Sequence, residues 1–184
     1  MILDATAGNR TLWEYKYSEH ITYIDVEKKL ERRPTIFASN EHTPFPDKTF
    51  NSIFYDPPHN WGGAVHFFSF PNRRERMKVF KDASGCPTYY GWDKFNTRNR
   101  LIKHIYNAQK EFMRILKDDG LLWFKWNEMR ILLRRLLPVF NDWLVLMTLY
   151  VNDPTHTAGK HQTFWLCMQK KTERVAQQAL ECFL

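Results

Sequence analysis

Leu121-Leu-Trp-Phe-Lys-Trp126 is apolar at all but one position, and a run of that kind belongs to a strand covered on both faces, not to a half-solvated antiparallel one. Just ahead of it, Leu101, Ile105, Ala108, Phe112, Ile115 and Leu116 recur at helical spacing between Arg98 and Lys117,. Gly120 stands where such a helix would stop. A helix feeding a doubly covered strand is half of a βαβ unit, and it restricts the fold to sheets with helices on both sides.

The rest of the chain extends the same pattern. Ile2-Leu3 reads as the end of a buried strand, turning at Asp4-Ala-Thr-Ala-Gly8-Asn9-Arg10 into a small-residue loop and then a helix capped by Thr11,. Ile21 to Asp25 is a second strand, Glu27 to Arg33 a helix ended by Pro34, and Thr35 to Ala38 a third strand,. Pro44 to Phe50 is turn-forming, and Ser52 to Tyr55 is the fourth strand,. Met129 to Leu137 reads as a helix ended by Pro138, and Trp143 to Val151 and Thr163 to Met168 as two closing strands. This alternation predicts a single α/β domain over 1–184 with a mostly parallel sheet, whose ligands sit beyond the carboxyl ends of the strands. Asp4, Asp25, Asn40, Asp56 and Asn127 all fall at or just past such ends.

Composition narrows the class. With 184 residues, 43% hydrophobic and 16% aromatic, the chain can bury a real core. No apolar run reaches the roughly 20 residues that span a bilayer, and Met1-Ile-Leu-Asp4 is not a secretory signal. Cys86, Cys167 and Cys182, odd in number and widely spaced, suit reduced thiols in the cytoplasm. No histidine or cysteine spacing suggests a metal site. The net charge of +7 permits a polyanionic partner without requiring one. Between Asn60 and Arg100 the bases Arg73, Arg74, Arg76, Lys78, Lys81, Lys94, Arg98 and Arg100 outnumber the acids Glu75, Asp82 and Asp93.

The loop after the first strand would let a ligand approach the backbone, although with one glycine it serves equally as a tight turn. Asp25, about 20 residues further on, is placed to grip ribose hydroxyls; it could as well cap a helix ahead of Val26-Glu27. Asp56-Pro-Pro-His59 ends the fourth strand with a carboxylate, an outward-facing carbonyl and a flat ring. Such a set can hold the amino group of a planar base, although a rigid corner is the plainer account of the two prolines.

Together, Asp4-Ala-Thr-Ala-Gly8, Asp25 and Asp56-Pro-Pro-His59 resemble, in order and spacing, the class I S-adenosylmethionine-dependent amino methyltransferases. With Phe124-Lys-Trp-Asn-Glu128 and His161-Gln-Thr-Phe-Trp165, the chain is similar to small methyltransferases of phages and prophages. The resemblance implies a Rossmann-like sheet, mostly parallel with an antiparallel closing strand, and S-adenosylmethionine as the cofactor. It implies that Asp4, Ala5 and Gly8 shape the methionine pocket, that Asp25 and Val26 take the ribose side, that Ser39 and Asn40 flank the adenine, and that Asp56 borders the cofactor. Asp56 and the Pro57 carbonyl would accept hydrogen bonds from the target amine, localising its lone pair toward the methyl group. His59 would stack on the base, where the family more usually has tyrosine, phenylalanine or tryptophan. No metal is required. The family also carries a helix ahead of the first strand, whose absence here implies weaker cofactor binding or help from another chain.

The segment 60–98 is too long for a plain connection and is expected to be a substrate-side insertion, with Trp61, Arg73 and Arg74 among its contacts. Aromatics beside cations suit an unpaired or extruded base; a small core with a solvated rim explains them equally. In the fold that the resemblance implies, Lys125, Asn127, Lys160 and His161 border the same cleft and are expected to touch substrate, although lone polar residues of this kind also serve as helix caps or solvated turns. The expected reaction is methylation of adenine N6 or cytosine N4, in DNA more than RNA. A protein-glutamine or RNA methyltransferase, or a partner-dependent subunit or homo-oligomer of a nucleic-acid methyltransferase, are the alternatives.

Overall fold

The computed structural model describes residues 1–59, 61, 95–128, 130–151 and 162–172. One seven-stranded sheet runs through it, built from β1 (Ile2–Asp4), β2 (Ile21–Asp25), β3 (Ile36–Phe37), β4 (Phe50–Tyr55), β5 (Leu116–Asn127), β6 (Trp143–Val151) and β7 (Thr163–Lys170). The spatial order is β3-β2-β1-β4-β5-β7-β6. The pairs β2/β3, β1/β2, β1/β4 and β4/β5 are parallel, and β7 lies antiparallel between β5 and β6. This is the mostly parallel sheet with an antiparallel closing strand that the resemblance implies. From β1 the chain moves outward through β2 and β3, then returns to β4 on the other side of β1. That reversal opens a crevice above the ends of β1 and β4.

One face is covered by α1 (Arg98–Ile115), started by Thr97, whose Oγ1 accepts from the Arg100 amide at 3.3 Å. Its Leu101, Ile105, Ala108, Phe112 and Ile115 are fully buried with Leu3, Ile53, Tyr55 and Phe124, each large side chain stabilising the fold by about 1.5–3 kcal/mol. The Tyr55 and Phe112 rings meet edge to face at 4.9 Å. Since α1 runs back against the strands, its first turns lie at the crevice end.

Several local expectations are overturned. No helix follows β1: residues 5–20 form turns, because Gly8 and Arg10 take left-handed backbone angles (φ 47° and 59°) that interrupt a helix,. Trp13 fills the space instead, its ring edge-on to Phe54 at 4.9 Å and to Tyr23 at 6.4 Å. Glu27 to Arg33 is not helical either; with Leu30 its one apolar residue, it has no stripe to bury. Side chains hold both loops: the Arg10 guanidinium donates to the Lys16 and Arg33 carbonyls, and Asn9 Oδ1 accepts from the Glu31 amide. The regular strand and helix alternation therefore fails over residues 1–59.

Gly120 does not stop a helix. α1 ends at Ile115 and β5 starts at Leu116, with Gly120 inside the strand where its register against β4 shifts. A Cβ there would lie 2.7 Å from Leu116 Cδ1 and 3.0 Å from the Asn51 carbonyl oxygen, so close approach is what glycine serves. After β5, the helix expected over Met129 to Leu137 shrinks to α2 (Leu133–Leu136), and Pro138 lies within a following 3-10 turn (Leu137–Phe140) instead of ending a helix. Cys167 is buried and free. Among the described residues no helix is long and apolar enough to cross a membrane. Of the expected insertion, only Trp61 and residues 95–98 lie among the described residues.

Candidate active site

The crevice is stitched together by backbone. The Ala5 amide donates to the Phe54 carbonyl at 2.9 Å, and the Asp56 amide donates to Thr6 Oγ1 at 2.8 Å. The loop after β1 is thus fixed against the end of β4. Beside it lies a cavity of about 280 Å³, lined on the strand side by Ala5, Thr6, Asp25, Val26, Ser39 and Asn40. Pro58, Phe95 and His104 close it from the β4 loop and from the start of α1.

Asp25 joins the β1 loop to the end of β2, since its Oδ2 accepts from the Gly8 amide at 2.9 Å and its Oδ1 from the Glu27 amide at 2.8 Å. The second bond closes a turn and not a helix cap, because no helix follows. Asn40 donates from Nδ2 to the Ala5 carbonyl at 3.2 Å, which leaves its Oδ1 buried with no hydrogen-bond partner. A buried acceptor left unpaired costs about 1–3 kcal/mol, so this wall suits a ligand that brings an N–H donor. Ser39 Oγ accepts from the Glu41 amide.

Asp4 is the electrostatic centre of the crevice. Burial pushes its carboxyl up from 3.8 to about 6, hydrogen bonds from Trp13 Nε1 (2.7 Å) and the Thr6 amide (3.2 Å) work against that rise, and the charges of Asp56 and Asp25 add to it. A carboxyl raised by folding binds its proton more tightly in the native state, so stability falls as pH rises from about 4 to about 6 and stays lower above that. The shift corresponds to a loss on the order of 3 kcal/mol. In urea unfolding at a series of pH values, wild-type stability is expected to drop by that order relative to Asp4→Asn; parallel curves would refute the assignment. The ionised cluster also favours a cationic ligand in the crevice.

Asp56 sits at the end of β4 with Lys125 Nζ donating to its Oδ2 at 2.8 Å. His59 Nε2 lies 3.1 Å from Oδ1, but the geometry leaves Oδ1 buried and without a hydrogen bond. Burial pushes this carboxyl up, yet His59 and then Lys125 outweigh it and hold it below the usual carboxylate range. The His59 ring is set edge-on against Trp126 at 5.1 Å, with Nδ1 accepting a long 3.5 Å contact from the Asn127 amide. Asn127 donates from Nδ2 to Thr163 Oγ1 at 2.8 Å, and its Oδ1 is buried and unpaired.

Of the predicted residues, Ala5, Asp25, Val26, Ser39 and Asn40 line the cavity; Gly8 is tied to Asp25, Asp4 is held by Trp13 and Thr6, and Asp56, His59, Lys125 and Asn127 form a linked cluster at the end of β4. Trp61 packs, partly buried, against the main core. Arg73, Arg74, Lys160 and His161 lie outside the described residues. Sequence reasoning missed Thr6, Glu41, Phe95 and His104. His104, which no motif singles out, lines the cavity, and its Nδ1 is 3.1 Å from Glu41 Oε2. Its position on the shoulder of the α1 apolar stripe was the one available signal.

No protein-family model and no curated protein sequence matches the chain. Solved structures do. The [4+2]-cyclase SpnF aligns with a TM-score of 0.53 and 13% identity over 93% of this chain and 74% of that one. TrmN from Thermus thermophilus aligns at 0.52 and 14% over 92% of this chain, which spans only 43% of TrmN. A SAM-dependent methyltransferase from Leishmania major aligns at 0.50 and 13%, covering 90% of this chain and 63% of that one. With the strand order, these likenesses show the Rossmann-like class I methyltransferase fold. At such identities they show the fold alone, and a cyclase among them illustrates that the fold does not dictate the reaction.

Proposed function

We propose that this protein is an S-adenosylmethionine-dependent methyltransferase acting on the exocyclic amino group of a nucleic-acid base, adenine N6 or cytosine N4, in DNA more than RNA. The observation that carries the proposal is the Asp56 carboxylate at the switch-point crevice, whose Oδ1 meets His59 Nε2 at 3.1 Å without an aligned hydrogen bond and keeps lone pairs for a further donor,. Such an oxygen calls for an N–H donor.

The cavity residues fit the cofactor. Asp25 and Val26 would take the ribose side, the unpaired Asn40 Oδ1 would accept from the adenine amine, and Asp4 with Ala5 and Gly8 would border the methionine end, where the carboxylates favour positive charge. Bound there, S-adenosylmethionine supplies an electrophilic methyl group. Asp56 Oδ1 and the Pro57 carbonyl would accept the two amine hydrogens and turn the nitrogen lone pair out of conjugation; as the N–CH3 bond formed and the sulfonium's S–CH3 bond broke to leave a neutral thioether, the surplus amine proton would leave through the Asp56 carboxylate to solvent, with orientation and electrostatics supplying most of the rate. His59, packed on Trp126 and beside Asp56, limits where the base ring can lie.

The test is to incubate the chain with labelled S-adenosylmethionine and mixed DNA and RNA, then to identify the modified nucleosides by mass spectrometry. Label in N6-methyladenine or N4-methylcytosine is expected. Cofactor binding with turnover only after a second polypeptide is added would assign a partner-dependent subunit, label in glutamine would move the acceptor to protein, and failure to bind the cofactor would overturn the proposal.

A further inference from the structure

We infer that Lys125 reads the atom next to the target amine: the ion pair Lys125–Asp56 forms a donor–acceptor edge that selects an amine whose carbon also carries an unprotonated acceptor, as adenine N6 with N1 or cytosine N4 with N3. This rests on the methyl-transfer reading above and goes beyond it by naming the second recognition contact.

Lys125 Nζ is 2.8 Å from Asp56 Oδ2, and both side chains keep about a third of their surface exposed, 30% and 31%. The pair is therefore firm but not sealed. The ammonium is fixed from a second side, 5.9 Å above the Trp165 ring, which itself packs on Phe54. An ammonium has three N–H donors and no acceptor. One is used on Oδ2, which leaves donors for a ligand held at Oδ1. The neighbouring Asp56 Oδ1 has His59 Nε2 at 3.1 Å but no aligned hydrogen bond, so a lone pair remains for an amine hydrogen,.

A ligand that satisfies both atoms must present a hydrogen to Oδ1 and a lone pair to Nζ side by side. The N–H and ring nitrogen of an amidine-like edge do this. An ammonium substrate, such as a lysine side chain, offers no lone pair and meets Lys125 with like charge. A ring nitrogen bonded to a cation is worth more than a neutral pair, so the contact should weigh heavily in selection.

The experiment uses single-stranded oligonucleotides of mixed sequence carrying adenine or 1-deazaadenine, and cytosine or 3-deazacytosine, in which the ring nitrogen is replaced by C–H and the amine is kept. For the base that the wild-type protein methylates, the deaza form is expected to lower kcat/KM by about 10- to 100-fold. Removing the ring nitrogen makes the amine a better nucleophile, so the intrinsic chemical effect runs the other way and cannot mimic this loss. Lys125→Met keeps an unbranched apolar stem without the ammonium and is expected to work more slowly on the parent base while losing its preference for it. Equal kcat/KM for parent and deaza bases in an active wild-type protein would overturn the role of Lys125 and leave the methyltransferase reading standing. Absence of transfer to any of the four pools would overturn both.

Discussion

Asp56→Ala is expected to lower methyl transfer by about 10²- to 10⁴-fold, the range over which a positioned acceptor or stabilising group acts, while cofactor affinity changes little. Two effects combine. The acceptor that orients the amine is lost, and the Lys125 ammonium, no longer paired at 2.8 Å, is left facing the amine. Asp56→Asn keeps a carbonyl acceptor at the same place and is expected to fall between alanine and wild type. Because His59 and Lys125 hold the Asp56 carboxyl below its usual range, its charge contributes stability that is present above the unfolded value of 3.8 and lost as pH falls below it. Single-turnover rates with labelled cofactor, beside calorimetric cofactor titration, separate the two readouts. Undiminished single-turnover transfer by the alanine variant would end the proposed mechanism.

The second large effect is structural. Trp126→Ala is expected to destabilise the fold by about 3–5 kcal/mol, a large share of the roughly 5–15 kcal/mol that holds a domain together. The ring is fully buried, stacked 6.0 Å from Phe124, and its Nε1 donates to the Ile131 carbonyl at 2.8 Å. Alanine leaves a cavity and an unpaired carbonyl together. It also removes the surface on which His59 rests, so any folded fraction should position the Asp56 end of the crevice poorly. Trp126→Phe retains most of the apolar volume and loses the hydrogen bond, at about 1–2 kcal/mol. Equilibrium urea unfolding of the three proteins tests the order; an alanine variant as stable as the phenylalanine one would contradict it.

Helix prediction in the first half of the chain failed for a local reason and a distant one. Glu27 to Arg33 is rich in good helix formers, but without an apolar stripe nothing in the fold rewards a helix there. In residues 5–20 the covering of the sheet that a helix normally provides comes from Trp13, whose indole N–H reaches Asp4 Oδ2. That contact depends on the two turns at Gly8 and Arg10, which no periodicity reveals. Gly120 misled in the opposite way, since glycine past a helical stripe looks like a cap, and its real constraint is the Asn51 backbone of a neighbouring strand.

Strand positions, the polar residues that end them and the helical stripe of α1 were determined by sequence alone, because apolar periodicity and its termination are properties of consecutive residues. Which of those strand ends would meet was decided only by the tertiary structure. Lys125 reaches Asp56 across a separation of 69 residues, and His104 reaches the cavity from a helix whose own pattern speaks only of its buried side, joined by Phe95 from just ahead of that helix. Such meetings follow from strand order and register, quantities set by the packing of the whole sheet and carried by no single stretch of chain.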